Sequence, residues 1–272
     1  MNTQKNSPIL ISLGLTVLVM VIVSAGYYMT PKDSSLETLF FALGGKMPEG
    51  LIQAATFFSF FICYFGMETL NKGIQREERA FALKLLPETE QYVLYPEDVN
   101  QIKLQTIEAE RHVGAGLLTD LIKQAATKFR SSHSPSESLA IVETVSDMHR
   151  KTVEKEFWLI HTCQALIPAF GFLGTVWGMA AAILNMGKTQ PTAMATPTGP
   201  DTAAPVAQAA VNSADIQVLI ENLGTAFFTT IVAIVLGIFV NVLMKRLESR
   251  VENLHTGMKR YVVENLVNRI QS

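Results

Sequence analysis

Four threonines in two apolar stretches are the residues of this 272-residue chain whose types and spacing could support chemistry. Thr225, Thr229 and Thr230 fall within two helical turns of one stretch, and Thr175 lies near the middle of another. Residues four apart share a helix face. Since hydroxyls both donate and accept hydrogen bonds, such a polar strip could solvate a hydrated proton or a partly dehydrated cation. The alternative is simple helix packing, with each hydroxyl bonded back to its own helix.

Three glycines share one face of the stretch that carries the single threonine. Gly171, Gly174 and Gly178 are three and four residues apart, in a run that begins at Pro168 and includes Trp177. Small residues on one face let the backbone of another helix approach closely. Helix packing alone accounts for these glycines.

Ionisable groups are missing from the middle of these stretches. Within 157–186 and 216–244 the only acid is Glu221, near the outer end of the second stretch. A proton relay through a membrane usually needs an ionisable group at depth. If the chain conducts protons, the carboxylate at mid-membrane must therefore come from another polypeptide, and Glu221 is an entrance or interfacial residue.

The threonines and glycines must be positioned by membrane helices. Four nearly charge-free stretches, near 8–28, 51–67, 157–186 and 216–244, are long enough to cross a hydrocarbon core of roughly 30 Å. We therefore predict an all-α integral membrane protein with four transmembrane helices and long cytoplasmic helical extensions. The alternative for the first stretch is a cleaved signal peptide, because Val23-Ser24-Ala25 resembles a cleavage site.

Lys and Arg counts predict the orientation. The two loops that follow the first and third stretches contain only Lys32, Lys46 and Lys188 of the 22 Lys and Arg residues. The others lie in the N-terminus, the segment 69–156 and the tail after Met244. The positive-inside rule therefore predicts that both termini and the middle segment are cytoplasmic.

The alternation of apolar and charged segments divides the chain into four parts. They are an N-terminal transmembrane hairpin (1–68), a cytoplasmic helical segment (69–156), a helix pair (157–244) with a flexible periplasmic loop (187–215), and a cytoplasmic C-terminal helix (245–272).

Local signals place the helix boundaries in the second and fourth parts. In the middle segment a helix should start at Pro96 and continue until the breaker cluster 131–136. From about Glu137 a helix should then run unbroken into the third span. The tail should extend the fourth span, since its apolar residues recur every three or four positions.

Several classes of function are disfavoured. A net charge of −2 lacks the excess of positive charge that is typical of nucleic-acid-binding proteins. The only cysteines, Cys63 and Cys163, fall inside predicted membrane helices and read as small apolar residues. No metal-ligand spacing, nucleophile elbow or phosphate loop occurs, so neither an enzyme nor a cofactor is expected.

At the glycines and threonines the sequence resembles the MotA/TolQ/ExbB proton channel family. The run 168–179, centred on Gly174-Thr175-Val176-Trp177-Gly178, is similar to a TolQ/ExbB helix, and 226–234 is similar to the family's Thr-Thr pattern. The order of elements also matches. Four spans are nevertheless the MotA arrangement, whereas the Gly-Thr-Val-Trp-Gly motif is closer to TolQ and ExbB.

The resemblance implies a motor stator of the bacterial inner membrane. It implies a homopentamer whose third and fourth spans line a pore, enclosing two copies of a single-span partner that carries an ion-accepting aspartate. By motif, Thr175 and Thr230 match pore threonines, with Thr225 as a rival to Thr230, and Glu221 is similar to an outer acid of ExbB-like chains.

Other choices stay open at this level. A membrane scaffold without ion flux would share the topology and the glycine packing. Hydroxyls do not decide between H⁺ and Na⁺. Work could be transmitted inward through charged residues such as Arg76, Glu77, Glu78 and Arg79, or outward through the partner.

Overall fold

The computed structural model describes residues 7–31, 35–45, 50–88, 93–188 and 213–270. Over these ranges the chain is helical, and an isolated bridge pairs Leu94 with Ile270. The helices are α1 (Ser7–Met29), α2 (Ser35–Ala42), α3 (Gly50–Ala82), α4 (Pro96–Val113), α5 (Leu117–Ser132), α6 (Pro135–Lys188) and α7 (Ser213–Asn265), followed by a 3₁₀ turn (Val267–Arg269). Four helices (α1, α3, α6 and α7) are long and apolar enough to cross a membrane. The prediction of an all-α chain with four such helices is confirmed.

One local prediction is wrong. The expected continuous helix from Pro96 to the breaker cluster is split into α4 and α5, which pack against each other. Gly114, at φ +96°, ends α4, and Gly116 in extended conformation caps α5. Glycine adopts such a positive φ without steric cost, so the chain can turn between α4 and α5. The two helices therefore form a hairpin, which the spacing of the apolar residues alone does not predict. The loop after α1 also contains a short helix, α2, which the sequence analysis did not predict.

The other boundary predictions are confirmed. α4 begins at Pro96, where the Asp98 carboxylate accepts a hydrogen bond from the Tyr95 N–H at 3.0 Å. α5 ends at Ser132, and α6 begins at Pro135, a residue that suits the first helical turn because it has no N–H to satisfy. α6 and α7 then continue for 54 and 53 residues.

Contacts divide the chain into two compact units. We call them the apolar unit (1–62 and 163–240) and the charged unit (63–162 and 241–272). α3, α6 and α7 each contribute residues to both. In the apolar unit, aromatic pairs link helices that are distant in sequence, with ring centroids of Phe41 and Phe228 6.4 Å apart and those of Phe60 and Phe239 6.2 Å apart.

A conventional hydrophobic core holds the charged unit together. It is built around α5, whose apolar face is fully buried against α4 and the end of α7. Tyr261 fastens the segment after α3 to α7, because its hydroxyl accepts from the Leu86 N–H at 3.0 Å and donates to the Leu86 carbonyl at 3.1 Å. Arg269 donates to the Pro87 carbonyl at 3.0 Å. The tail is therefore part of this core.

Two adjacent carboxylates on α3, beyond the apolar stretch 51–67, have opposite electrostatic surroundings. Both Glu77 carboxylate oxygens accept from the Leu117 N–H at 3.1 Å, at the N-terminus of α5, and burial raises the pKa of Glu77. Glu78 forms a two-point contact with Arg250 at 2.6 and 2.7 Å, and this guanidinium lowers the pKa of Glu78. Both side chains are thus engaged within the chain.

These surroundings predict opposite pH effects for Glu77→Gln and Glu78→Gln. A raised carboxyl pKa means that Glu77 contributes stability below its ordinary value of 4.5 and loses it as the pH rises through the folded value. The wild type should therefore lose thermal stability relative to Glu77→Gln as the pH rises from below 4.5 through the raised pKa of Glu77. Glu78 should act in reverse, because its contribution is lost as the pH falls below 4.5. Parallel melting-temperature profiles for the wild type and both variants would contradict this assignment.

Candidate functional site

α6 and α7 come into backbone contact at two glycines of the apolar unit. A Cβ added at Gly171 would lie 2.5 Å from the Ala233 Cβ and 3.4 Å from the Thr230 Cα. A Cβ added at Gly174 would lie 2.8 Å from the Thr229 Cβ. Real side chains do not tolerate such distances, so these positions require glycine for the observed crossing. The predicted glycine face is the face on which α7 packs.

Two threonine hydroxyls lie at this crossing. Thr230 donates to the Gly171 carbonyl at 2.9 Å, and its hydroxyl is also 3.4 Å from the Ala226 carbonyl of its own helix. Thr229 is buried against Gly174 and donates to the Ala226 carbonyl at 2.9 Å. The bond from Thr230 links the two helices directly, whereas the bond from Thr229 is internal to α7. Each oxygen keeps acceptor capacity after donating its proton.

Thr175 has a different environment. Its hydroxyl donates to the Phe172 carbonyl of its own helix at 2.6 Å, and its side chain is partly open to the surroundings of the chain. The structure thus brings Thr229 and Thr230 to the glycine face, while Thr175 is bonded within α6. An oxygen with free acceptor capacity on a partly exposed face is available to whatever packs beside α6.

The remaining predicted residues have varied positions. Gly178 is buried, Pro168 lies inside α6 with an exposed ring, and Trp177 is 56% exposed. The backbones of Glu221 and Thr225 belong to α7, but their side chains lie outside the described part of the chain.

Large apolar side chains cover the outside of the apolar unit. Leu10 on α1, Phe172 on α6 and Ile238 on α7 are each at least 60% exposed. An apolar surface of this extent is not compatible with a soluble monomer and requires lipid or other protein chains. The helices are apolar on all sides, as is typical of membrane spans.

The sequence reading missed a set of buried polar side chains in the first two spans. Ser12 and Thr16 are four residues apart on α1, and the Thr16 hydroxyl donates to the Ser12 carbonyl at 2.7 Å. On α3, Thr56 and Ser59 bond back to their own helix, while the amide atoms of the fully buried Gln53 have no hydrogen-bond partner among the described residues. The i, i+4 spacing in α1 was the available signal.

Comparison with known proteins gives one family match. Residues 114–200, about a third of the chain, match the MotA/TolQ/ExbB proton channel family. The match begins at Gly114, where α4 ends, and covers α5 and α6. It includes Gly171, Gly174 and Thr175. No curated protein and no solved structure matches the chain.

This match confirms the resemblance seen at the Gly-Thr-Val-Trp-Gly motif. Together with the four apolar helices, it makes the chain a multi-pass membrane protein. The family is of the channel type and is not an enzyme family, and its members work with partner proteins in membrane complexes. The match thus suggests a function of the proton-channel or stator-like type.

Proposed function

We propose that this chain is the pore-forming stator subunit of a rotary motor driven by protons or sodium ions. It couples ion flow across the bacterial inner membrane to mechanical work. Thr175 and Thr230 are the main ion-path residues, assisted by Thr225 and Thr229, with Glu221 at the outer entrance.

The α6–α7 crossing carries this proposal. A hydroxyl is held between two closely packed membrane helices by the bond from Thr230 to the Gly171 carbonyl. Gly171, Gly174 and Gly178 form the packing face, with Pro168 and Trp177 in the same run. Acidic and basic residues are absent from 222–244, so the helix pair offers hydroxyl oxygens but no ionisable proton acceptor at depth. A single-span partner with an intramembrane aspartate would complete the path.

The assembly we propose is a homopentamer around two copies of that partner. Exposed apolar side chains on α6 and α7, such as Phe172 and Ile238, support packing against other helices as well as against lipid. The charge pattern supports cytoplasmic termini and a cytoplasmic location for 69–156. Engagement of Glu77 and Glu78 within the chain leaves Arg76 and Arg79 as the exposed charges of that run, so inward transmission of work would use these two arginines.

Co-expression with the neighbouring single-span protein tests the proposal. The complex, extracted in detergent, should have a native mass of five copies of this chain and two of the neighbour. After reconstitution into liposomes it should carry a proton or sodium current that depends on the neighbour's aspartate. A monomer or dimer that does not bind the neighbour and carries no current would instead indicate a non-conducting scaffold.

A further inference from the structure

A histidine and a glutamate link α6 and α7 where both helices leave their apolar stretches. The His161 Nε2 atom lies 3.1 Å from the Glu248 Oε1 atom, within the charged unit. Between 162 and 187 the sequence has no Asp, Glu, Lys, Arg or His, and after Glu221 the next acid on α7 is Glu248. The apolar parts of α6 and α7, which carry the threonines, are therefore followed on the side of the charged unit by this histidine and this glutamate.

The pair is exposed at the surface of the charged unit. The His161 side chain is 50% exposed and the Glu248 side chain 28%. The second Glu248 oxygen is 2.8 Å from the Lys245 Nζ atom, and the Phe157 ring centroid lies 6.2 Å from that of His161. The Cys63 thiol of α3 donates to the Ile160 carbonyl of α6 at 3.5 Å.

The charged side chains next along α3 are already occupied. They are Glu68 and Lys72, which pair with each other at 2.8 Å. Histidine can serve as a proton acceptor and donor in water. At this contact the histidine is His161, and Glu248 is the carboxylate beside it.

The chemistry of such a pair suits proton exchange better than structural support. A half-exposed ion pair contributes little to stability, in the range of about 0–1 kcal/mol. In contrast, an imidazole changes protonation near pH 6.5, and a separation of about 3 Å is short enough for direct proton transfer. A protonated imidazole would have the Glu248 carboxylate 3.1 Å away as its hydrogen-bond acceptor.

We propose that His161 and Glu248 form the proton-exchange site at the charged end of the α6–α7 pair, an inference that rests on the proposed function. A proton that arrives on water in the path binds the lone pair of the imidazole, and the imidazolium is held by the Glu248 carboxylate. The proton then passes to a buffer molecule on that side, which restores the neutral imidazole. No net change of either residue occurs over the cycle.

The test uses the full complex with its partner in liposomes. His161→Gln and Glu248→Gln should each reduce proton flux several-fold when mobile buffer is scarce. Water alone then has to carry the proton away from the charged end of the α6–α7 pair. Added imidazole should restore flux in both variants. His112→Gln, an exposed histidine on α4, is the matched control and should behave as the wild type.

The outcomes separate this inference from the proposed function. A conducting wild type with unchanged variants would overturn the proton-exchange site alone. A loss of flux that imidazole does not restore would also overturn it, since that result indicates a structural role. If the wild-type complex carries a sodium current or no current, both the proton path and the proton-exchange site are contradicted.

Discussion

Thr175→Val is expected to leave the fold of the complex unchanged and to reduce its ion current strongly. The Thr175 hydroxyl is bonded only to the Phe172 carbonyl of its own helix, a bond that helices do not need. Valine has nearly the same shape, so packing is retained. The current should fall about tenfold or more, since a tenfold change corresponds to losing about 1.4 kcal/mol of interaction with the permeating ion.

Thr230→Val should combine a loss of current with a loss of stability. Its hydroxyl joins α7 to the Gly171 carbonyl at 2.9 Å, and removal of such a bond costs about 0.5–1.5 kcal/mol. The two variants therefore separate ion solvation from helix packing. The current should be measured in liposomes. The stability should be measured by unfolding in increasing concentrations of a denaturing detergent.

Matched controls are available for both threonines. Serine at either position keeps the hydroxyl and should retain most of the current. Thr162, on the same helix as Thr175, bonds in the same way to the Trp158 carbonyl at 2.9 Å, but it lies in the charged unit. Thr162→Val should conduct normally. Full current in both Thr175→Val and Thr230→Val would remove the hydroxyls from the ion path and favour the scaffold function.

The sequence was sufficient to predict the spans and the face of α6 that packs. Long apolar stretches have few structural alternatives, because a membrane helix must satisfy its backbone hydrogen bonds internally. The glycine spacing of three and four residues defines a face by geometry alone, and α7 packs on that face through Gly171 and Gly174.

Features that depend on tertiary contacts were beyond the sequence. Val99 to Ile122 is a regular helical pattern, yet the chain turns at Gly114, because burying α4 and α5 against each other forms a core that one extended helix would lack. The contact between His161 and Glu248 joins residues 87 positions apart. Neither pairing is encoded in local spacing.

The roles of the two threonine positions also needed the structure. Sequence spacing places Thr229 and Thr230 side by side, but only the helix crossing makes Thr230 the donor to Gly171 and buries Thr229 against Gly174. Thr229 is consequently the residue that most limits what Gly174 can become.

Gly174→Ala is expected to destabilise the apolar unit and abolish the current. The added methyl group would lie 2.8 Å from the Thr229 Cβ, an atom fixed to the α7 backbone, so the two helices must separate. Overpacking of this kind costs about 1–3 kcal/mol. Separation also breaks the nearby bond from Thr230 to the Gly171 carbonyl, and the hydroxyl geometry of the proposed path is lost with it.

Gly237→Ala provides the matched control on the facing helix. A Cβ there would lie 3.7 Å from the Ile167 Cγ2, an ordinary van der Waals contact, so alanine fits without movement. Its higher helix propensity should leave stability unchanged or raise it by up to about 1 kcal/mol. Equal unfolding midpoints for Gly174→Ala and Gly237→Ala would mean that α6 and α7 do not cross at Gly174. If Gly174→Ala is destabilised, combining it with Thr229→Gly should recover stability, because the second change removes the Cβ that the new methyl group meets.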